Sequence, residues 1–154
     1  MPRERASMIT EPRSKPGTER PEPFTTPLGF DEMREKQAVV ETTAGTFIID
    51  LLAEAAPNHV GLFMQTAEEG EYDRTTFHSM VAGGIVQGGD PFTKNPDRLD
   101  EYGRGGLGLV HAEPNDELHT PGTVSAVGVP GDLTSDGTQF LICVVTQPGL
   151  DGHH

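Results

Sequence analysis

The sequence predicts a mainly β domain, an antiparallel β-barrel with one helix across an end. β-branched residues fill two short runs, 39–43 and 46–51, and the Ala44-Gly45 pair between them predicts a β-hairpin. A helical pattern follows from Pro57, and further strand-like runs then alternate with glycine-rich loops. A hairpin, one helix and a second group of strands, in that order, favour a barrel with a capping helix.

The single long helix is predicted to begin at Pro57, because proline suits the first turn of a helix, and to end at Gly70. Glu68 and Glu69 are expected in solvent. The buried stripe is predicted to consist of four apolar residues at helical spacing: Val60, Phe63, Met64 and Ala67.

The second half of the chain predicts strands separated by glycine-rich connections. The first two are joined through Gly83-Gly84, and a long glycine-rich and charged loop spans residues 91–108. The only cysteine, Cys143, lies in an apolar run and is expected to be a small buried hydrophobe. Four strands are predicted here: residues 75–81, 85–88, 124–127 and 138–145.

Residues 1–36 are rich in Pro, Glu, Arg, Ser and Thr, a composition that predicts a disordered, solvated arm. Residues 37–154 form the predicted folded domain. The arm carries seven basic and seven acidic residues, so the domain carries the remaining four basic and seventeen acidic ones, a net charge of 4 − 17 = −13. Such an acidic domain repels phosphate backbones and anionic lipids, so we expect no nucleic acid or membrane partner, whereas a neutral or basic peptide fits.

The start of the chain lacks an apolar stretch long enough for a secretory signal, and a lone cysteine forms no disulfide within one chain. We therefore expect a cytoplasmic protein. No His-Glu-x-x-His or Cys-His pairing predicts a metal, and no cofactor is expected. The glycine loop at 103–108 lacks the Lys-Ser/Thr of a phosphate loop. Ser79, Ser125 and Ser135 lack the sequence context of a nucleophile elbow.

Several short blocks keep a fixed order along the chain, from about Ala38 to the last residue. Together they resemble the cyclophilin-type peptidyl-prolyl isomerases, in particular bacterial-like ones. The blocks are Tyr72-Asp73-Arg74-Thr75-Thr76, Phe77-His78, 81–91 with Gln87-Gly88-Gly89-Asp90, Gly103-Arg104-Gly105-Gly106, Gly122-Thr123-Val124-Ser125, Thr138-Gln139-Phe140-Leu141-Ile142 and Leu150-Asp151-Gly152-His153-His154.

The resemblance implies a cyclophilin-like barrel and an enzyme that isomerises X–Pro bonds during protein folding. It also implies that the final strands and the second helix of the family lie beyond residue 154, so that residues 37–154 are an incomplete domain. A complete domain is expected to be a monomer that binds Pro-containing peptides or unfolded proteins.

The resemblance also implies the site residues. Gln87 and Gln139 occupy the two glutamine positions that polarise the site, and His154 occupies the imidazole position. Ser79 stands where the family has the arginine credited with the chemistry, which implies a weakened isomerase. The residues implied to contact the peptide are His78, Gly84, Ile85, Arg104, Val127, Gly128, Leu141 and Leu150.

Two interpretations remain open at this point. One is an active isomerase, favoured by the retained glutamines. The alternative is a non-catalytic module that binds Pro-containing peptides as a chaperone or scaffold on the same fold. Serine instead of arginine at residue 79 favours the second interpretation.

Overall fold

The computed structural model describes residues 22–106, 110–129 and 133–153. Its strands are all paired antiparallel, which confirms the mainly β fold class. The strands are β1 Gln37–Thr42, β2 Gly45–Asp50, β3 Ser79–Met80, β4 Ile85–Gly88, β5 Val110–His111, β6 Val124–Gly128 and β7 Thr134–Cys143. The α-helices are α1 Phe30–Met33 and α2 Pro57–Glu68, and 3₁₀ turns span Pro91–Lys94, Pro96–Glu101 and Pro148–Leu150.

β1 and β2 form the predicted hairpin as a two-stranded sheet. Thr42 pairs with Gly45, whose positive φ of +137° suits the tight turn. Val40 and Phe47 pair on the half-buried face, whereas Ile48 on the other face is exposed. The hairpin is therefore confirmed with bounds that differ from the prediction by one or two residues.

The second sheet has five strands, and β7 lies at its centre. β7 pairs with β4, β5 and β6, and β3 extends the sheet beyond β4. The strand predicted over 75–81 is reduced to β3, because the N–H of Thr76 is donated to the Thr93 side chain, 2.9 Å away, instead of to a strand. β7 begins four residues before the predicted start and ends at Cys143, which is buried as expected.

α2 packs one face against β7, where the Phe63 and Phe140 rings meet edge to face at 6.1 Å. Leu62 and Thr66 are buried, whereas Ala67 is exposed, so the predicted stripe was wrong at Ala67 and omitted two positions. Leu62 and Thr66 lie beside Tyr72, Gly89 and Pro91, so segments that follow α2 and β4 cover a second side of the helix. Gly70 has φ +72° and follows the helix end, as predicted.

The segment just before β1 packs on the helix. Met33 of α1 is 2% exposed and lies in a core cluster with Leu28, Val60 and Met64. The Thr26 N–H is donated to Asn58 at the start of α2, 2.9 Å away. The predicted disordered arm therefore does not describe residues 26–33, in which Met33 is buried and Leu28 packs against it, although Phe30 is exposed. Its first 21 residues lie outside the described ranges.

Within the described ranges, no helix is long and apolar enough to cross a membrane.

Candidate active site

Four predicted site residues share one face of the five-stranded sheet. Ser79 on β3 pairs with Gln87 on β4, and Gln87 pairs in turn with Leu141 on β7. Directly paired residues of an antiparallel sheet project to the same side. Gln139 lies two residues before Leu141 and belongs to the same side, as its contact with Gln87 shows. The sheet thus brings together two glutamines and the serine that stands at the arginine position.

The two glutamine side chains are hydrogen-bonded to each other. Gln87 Nε2 donates to Gln139 Oε1 at 2.8 Å. Gln139 Nε2 donates to the carbonyl oxygens of Gly103 and Gly105, at 3.2 and 2.5 Å. Gln139 is 3% exposed, and hydrogen bonds at both its amide oxygen and its amide nitrogen fix the side chain. Gln87 is half-buried. This arrangement fixes a polar amide pair beside the glycine loop.

A buried carboxylate, Asp90, organises that loop. It is fully buried and accepts hydrogen bonds from the backbone N–H groups of Phe92, Gly103 and Gly105. A Cβ atom on Gly105 would lie 2.0 Å from Asp90 Oδ1, so only glycine fits there. Asp90 was not among the predicted site residues, although an aspartate followed by proline after two glycines is a recognisable turn signal.

Asp136 was also absent from the predicted site residues, and its side chain fixes the backbone at Gln139. Its Oδ1 accepts the backbone N–H of Gln139 at 2.9 Å. Burial raises the pKa of Asp136 to about 6, and the charge of Asp90 adds to the rise, although backbone hydrogen bonds from Gln139 and Thr138 oppose it. The stability of the fold therefore depends on whether Asp136 is protonated or ionised, and this changes near neutral pH.

His78 lies beside the glycine loop. Its Nε2 would be 3.6 Å from a Cβ atom on Gly103, and neither ring nitrogen has a hydrogen-bond partner among the described residues. Both nitrogens are buried. A contact between His78 and a bound peptide stays a prediction, since the ring here is packed rather than open to solvent.

Arg104 lies between the two carbonyls that Gln139 binds, so its backbone is adjacent to the glutamine pair. Arg104 is exposed, and its backbone N–H donates a hydrogen bond to the carbonyl oxygen of Glu101. The pKa of Glu101 is lowered, chiefly by a hydrogen bond from Arg98 and to a smaller extent by the charge of Arg104. The positive charge of Arg104 is thus close enough to the Glu101 carboxylate to favour its ionised form.

The remaining predicted peptide contacts lie on several strands of this sheet and in the turns next to them. Gly84 is buried in the turn before β4, and its carbonyl accepts the Val144 N–H at 2.9 Å. Ile85 pairs with Cys143, and Leu141 is 4% exposed. Val127 and Gly128 end β6 at a register shift. Leu150 is half-buried in the last 3₁₀ turn, and His154 lies outside the described residues.

Comparison with known proteins agrees with this geometry. Residues 38–154 match the family described as cyclophilin type peptidyl-prolyl cis-trans isomerase/CLD. A peptidyl-prolyl cis-trans isomerase of Synechococcus elongatus is 37% identical over 119 residues, covering 77% of this chain and 75% of that protein. One of Helicobacter pylori is 31% identical over 139 residues, covering 83% and 78%.

The fold is similar as well. A cyclophilin-type isomerase of Cryptosporidium parvum, solved in the presence of the dipeptide Ala-Pro, superposes with a TM-score of 0.66 at 26% identity, covering 76% of this chain and 73% of that one. The chain belongs to the cyclophilin-type peptidyl-prolyl cis-trans isomerases. Bacterial proteins are among its relatives. The serine at residue 79, where the family resemblance implies an arginine, is not tested by these comparisons.

Proposed function

We propose that this isomerase acts on X–Pro bonds in flexible segments of unfolded proteins and that Ser79 lowers its rate. The observation that carries the proposal is the Gln87–Gln139 amide pair, held on the same sheet face as Ser79. The Cryptosporidium parvum relative solved with Ala-Pro supports a proline-containing peptide as the ligand.

The chemistry needs no nucleophile. Rotation about an X–Pro bond meets a barrier of about 18–20 kcal/mol because amide resonance is lost. A catalyst lowers it by holding the proline on apolar surface and by donating hydrogen bonds to the twisted amide. Ile85, half-buried on β4, supplies apolar surface, and the glutamine amides supply fixed dipoles. Gly128 supplies backbone groups at the end of β6.

Ser79 is the weak member of this set. A hydroxyl donates a single hydrogen bond and carries no charge, whereas a guanidinium presents five donors and a permanent positive charge. We therefore expect measurable but slow isomerisation. Glutamine amides alone stabilise less of the charge redistribution that accompanies twisting.

The direct test is exchange NMR on a proline-containing tetrapeptide, with and without the purified chain. Line broadening of the cis and trans signals at catalytic concentration supports the isomerase. Peptide binding, seen as chemical-shift changes, without faster exchange would instead support the non-catalytic binding module. Gln87→Leu serves as the variant that removes a polarising amide while keeping the side chain's size, and it should slow exchange further.

Three further parts of the proposal concern the protein's setting: a role in protein folding, a cytoplasmic location and a monomeric complete domain. The buried thiol of Cys143 is compatible with a reducing compartment. Acceleration of a proline-limited refolding reaction tests the first. Cell fractionation tests the second, and light scattering during size-exclusion chromatography tests the third.

A further inference from the structure

Two buried side chains hold the glycine loop against the amide pair. Asp90 accepts the backbone N–H groups of Gly103 and Gly105. Gln139 Nε2 donates to the carbonyl oxygens of the same two glycines. Arg104 lies between them and is exposed. The backbone on both sides of Arg104 is therefore fixed, and its side chain stands in solvent beside the amide pair.

The same loop lies close to Ser79. A Cβ atom on Gly103 would be 3.6 Å from His78 Nε2, and His78 immediately precedes Ser79. The side chains of Ser79 and of the two glutamines are uncharged. Arg104 therefore brings a positive charge to the border of a face whose own polar groups are neutral.

Arg104 also differs from the other cations of the domain. Residues 37–154 contain four basic residues, Arg74, Lys94, Arg98 and Arg104. Lys94 lies 3.0 Å from Glu71, and Arg98 donates to both carboxylate oxygens of Glu101, at 3.0 and 2.5 Å. Glu101, the acidic residue whose pKa Arg104 lowers, thus already has a closer partner. Among residues 22–106, 110–129 and 133–153, the Arg104 side chain forms no ion pair or hydrogen bond.

We propose that Arg104 determines substrate specificity and that the isomerase prefers segments with Asp or Glu close to the proline. The inference rests on the proposed isomerase function and names its substrate class. A guanidinium presents its donors in a planar fork that matches the two oxygens of a carboxylate. A peptide carboxylate would therefore take up donors that the described part of the chain leaves unused. This role is in binding and involves no covalent step.

The acidity of the domain sets the background for this preference. Residues 37–154 carry a net charge of −13, and Asp97 and Asp100 precede Arg104 in the same loop. Salt screens exposed charges beyond about 8 Å at physiological ionic strength, whereas a direct contact keeps most of its Coulomb energy. Contact with Arg104 thus outweighs the more distant acidic residues. Removing Arg104 should reverse the preference, so the expected neutral or basic peptide would suit the variant better than the original protein.

The experiment compares peptides that differ in one charge, using the whole purified chain at pH 7. Each is acetyl-Xaa-Ala-Pro-Phe-amide with Glu, Gln or Lys as Xaa, and a second set carries the same three residues directly before proline. Exchange NMR gives kcat/KM, and chemical-shift titration gives the affinity. In at least one set we expect the order Glu, Gln, Lys, with Glu above Gln by about twofold to fivefold, the range of an exposed ion pair. The difference should appear in KM rather than kcat.

Four conditions assign the preference to Arg104. Arg104→Ala should place the Lys peptide above the Glu peptide. Arg104→Lys keeps the charge without the planar fork and should retain part of the Glu preference. In the original protein, 1 M NaCl should remove most of it. Arg34→Ala is the matched control, because it removes one exposed arginine at the end of α1, and it should keep the preference.

Circular dichroism and thermal unfolding show whether each variant is folded. Equal affinities for the Glu, Gln and Lys peptides in the original protein would overturn the inference, as would an unchanged Glu preference in folded Arg104→Ala. An equal loss in Arg34→Ala and Arg104→Ala would show that net charge, rather than Arg104, selects the peptide. If peptides bind without faster exchange, the proposed isomerase fails while the affinities still decide the inference. Failure of every peptide to bind would overturn both.

Discussion

Replacing Ser79 by arginine is the perturbation that most directly tests the isomerase site. Ser79 pairs with Gln87, and Cβ atoms of such cross-strand pairs lie about 4.5–5.5 Å apart. The longer arginine side chain therefore extends past the Gln87 amide, over the face that holds Gln139. One fixed donor of this kind is worth about 2.7–4 kcal/mol, or 10²–10³ in rate. Ser79 is half-buried, so water screens part of the effect, and we expect about 10²-fold.

The assay is the rate of cis-to-trans conversion of a chromogenic proline peptide, read as kcat/KM. Met80→Arg is the matched control, because the next residue along a strand projects to the opposite face and Met80 is 74% exposed. Ser79→Lys supplies charge without the planar fork and should recover only part of the rate.

Two outcomes would refute the reasoning. Equal gains in Ser79→Arg and Met80→Arg would show that any added cation helps, through the acidic surface rather than the site. No gain in a folded Ser79→Arg, together with a fall of about 10²-fold in Arg104→Ala, would show that Arg104 already supplies the missing donor.

Three further substitutions test the frame of the site. Gln139→Leu leaves two loop carbonyls without their donor, so unfolding free energy in urea should fall by about 1–3 kcal/mol, and kcat/KM should fall too. Gly105→Ala forces a methyl onto Asp90 and should cost about 1–3 kcal/mol, whereas Gly149→Ala, with open space around it, should leave the melting temperature unchanged. The pKa of Asp136 is about 6 in the folded protein, above its ordinary value. Protonation of Asp136 therefore stabilises the fold at low pH, and this stability is lost as the pH rises through about 6. Asp136→Asn should be more stable than the original protein by about 1–2 kcal/mol at pH 7.5 and equally stable at pH 4. A pH-independent difference would contradict this assignment.

The strands and the main helix could be predicted because their signals are local. The hairpin follows from β-branched runs around Ala44-Gly45, and the start of α2 follows from Pro57. The glutamine pair could be placed because the resemblance carries both positions. The sheet then brings Gln87 and Gln139 within 2.8 Å of each other.

The rest depends on contacts between residues far apart in sequence. The packing of Met33 could not be anticipated, because proline and charge dominate the composition around it while a few apolar residues decide where the segment lies. Asp90 and Asp136 gained their roles from burial, which composition does not reveal. His59 on α2, Glu113 in the loop after β5 and Ser135 on β7 are far apart in sequence and meet only in the fold.

The pairing of β7 with its neighbours determines which parts of the fold open first in local unfolding. Residues 140–142 pair with β4 and β6 at once, and Ser135 pairs with β5 and β6, so the amide protons of these residues exchange only when a neighbouring strand is released. Gln139 and Ser135 are both on this strand. Ser135 should therefore be strongly protected in native-state hydrogen exchange, whereas the Gln139 N–H, which bonds the Asp136 side chain of the same strand, should be protected less. Ser79, on a strand of two residues, should exchange through small local openings. The isomerase face is thus rigid on one side and free to adapt on the other.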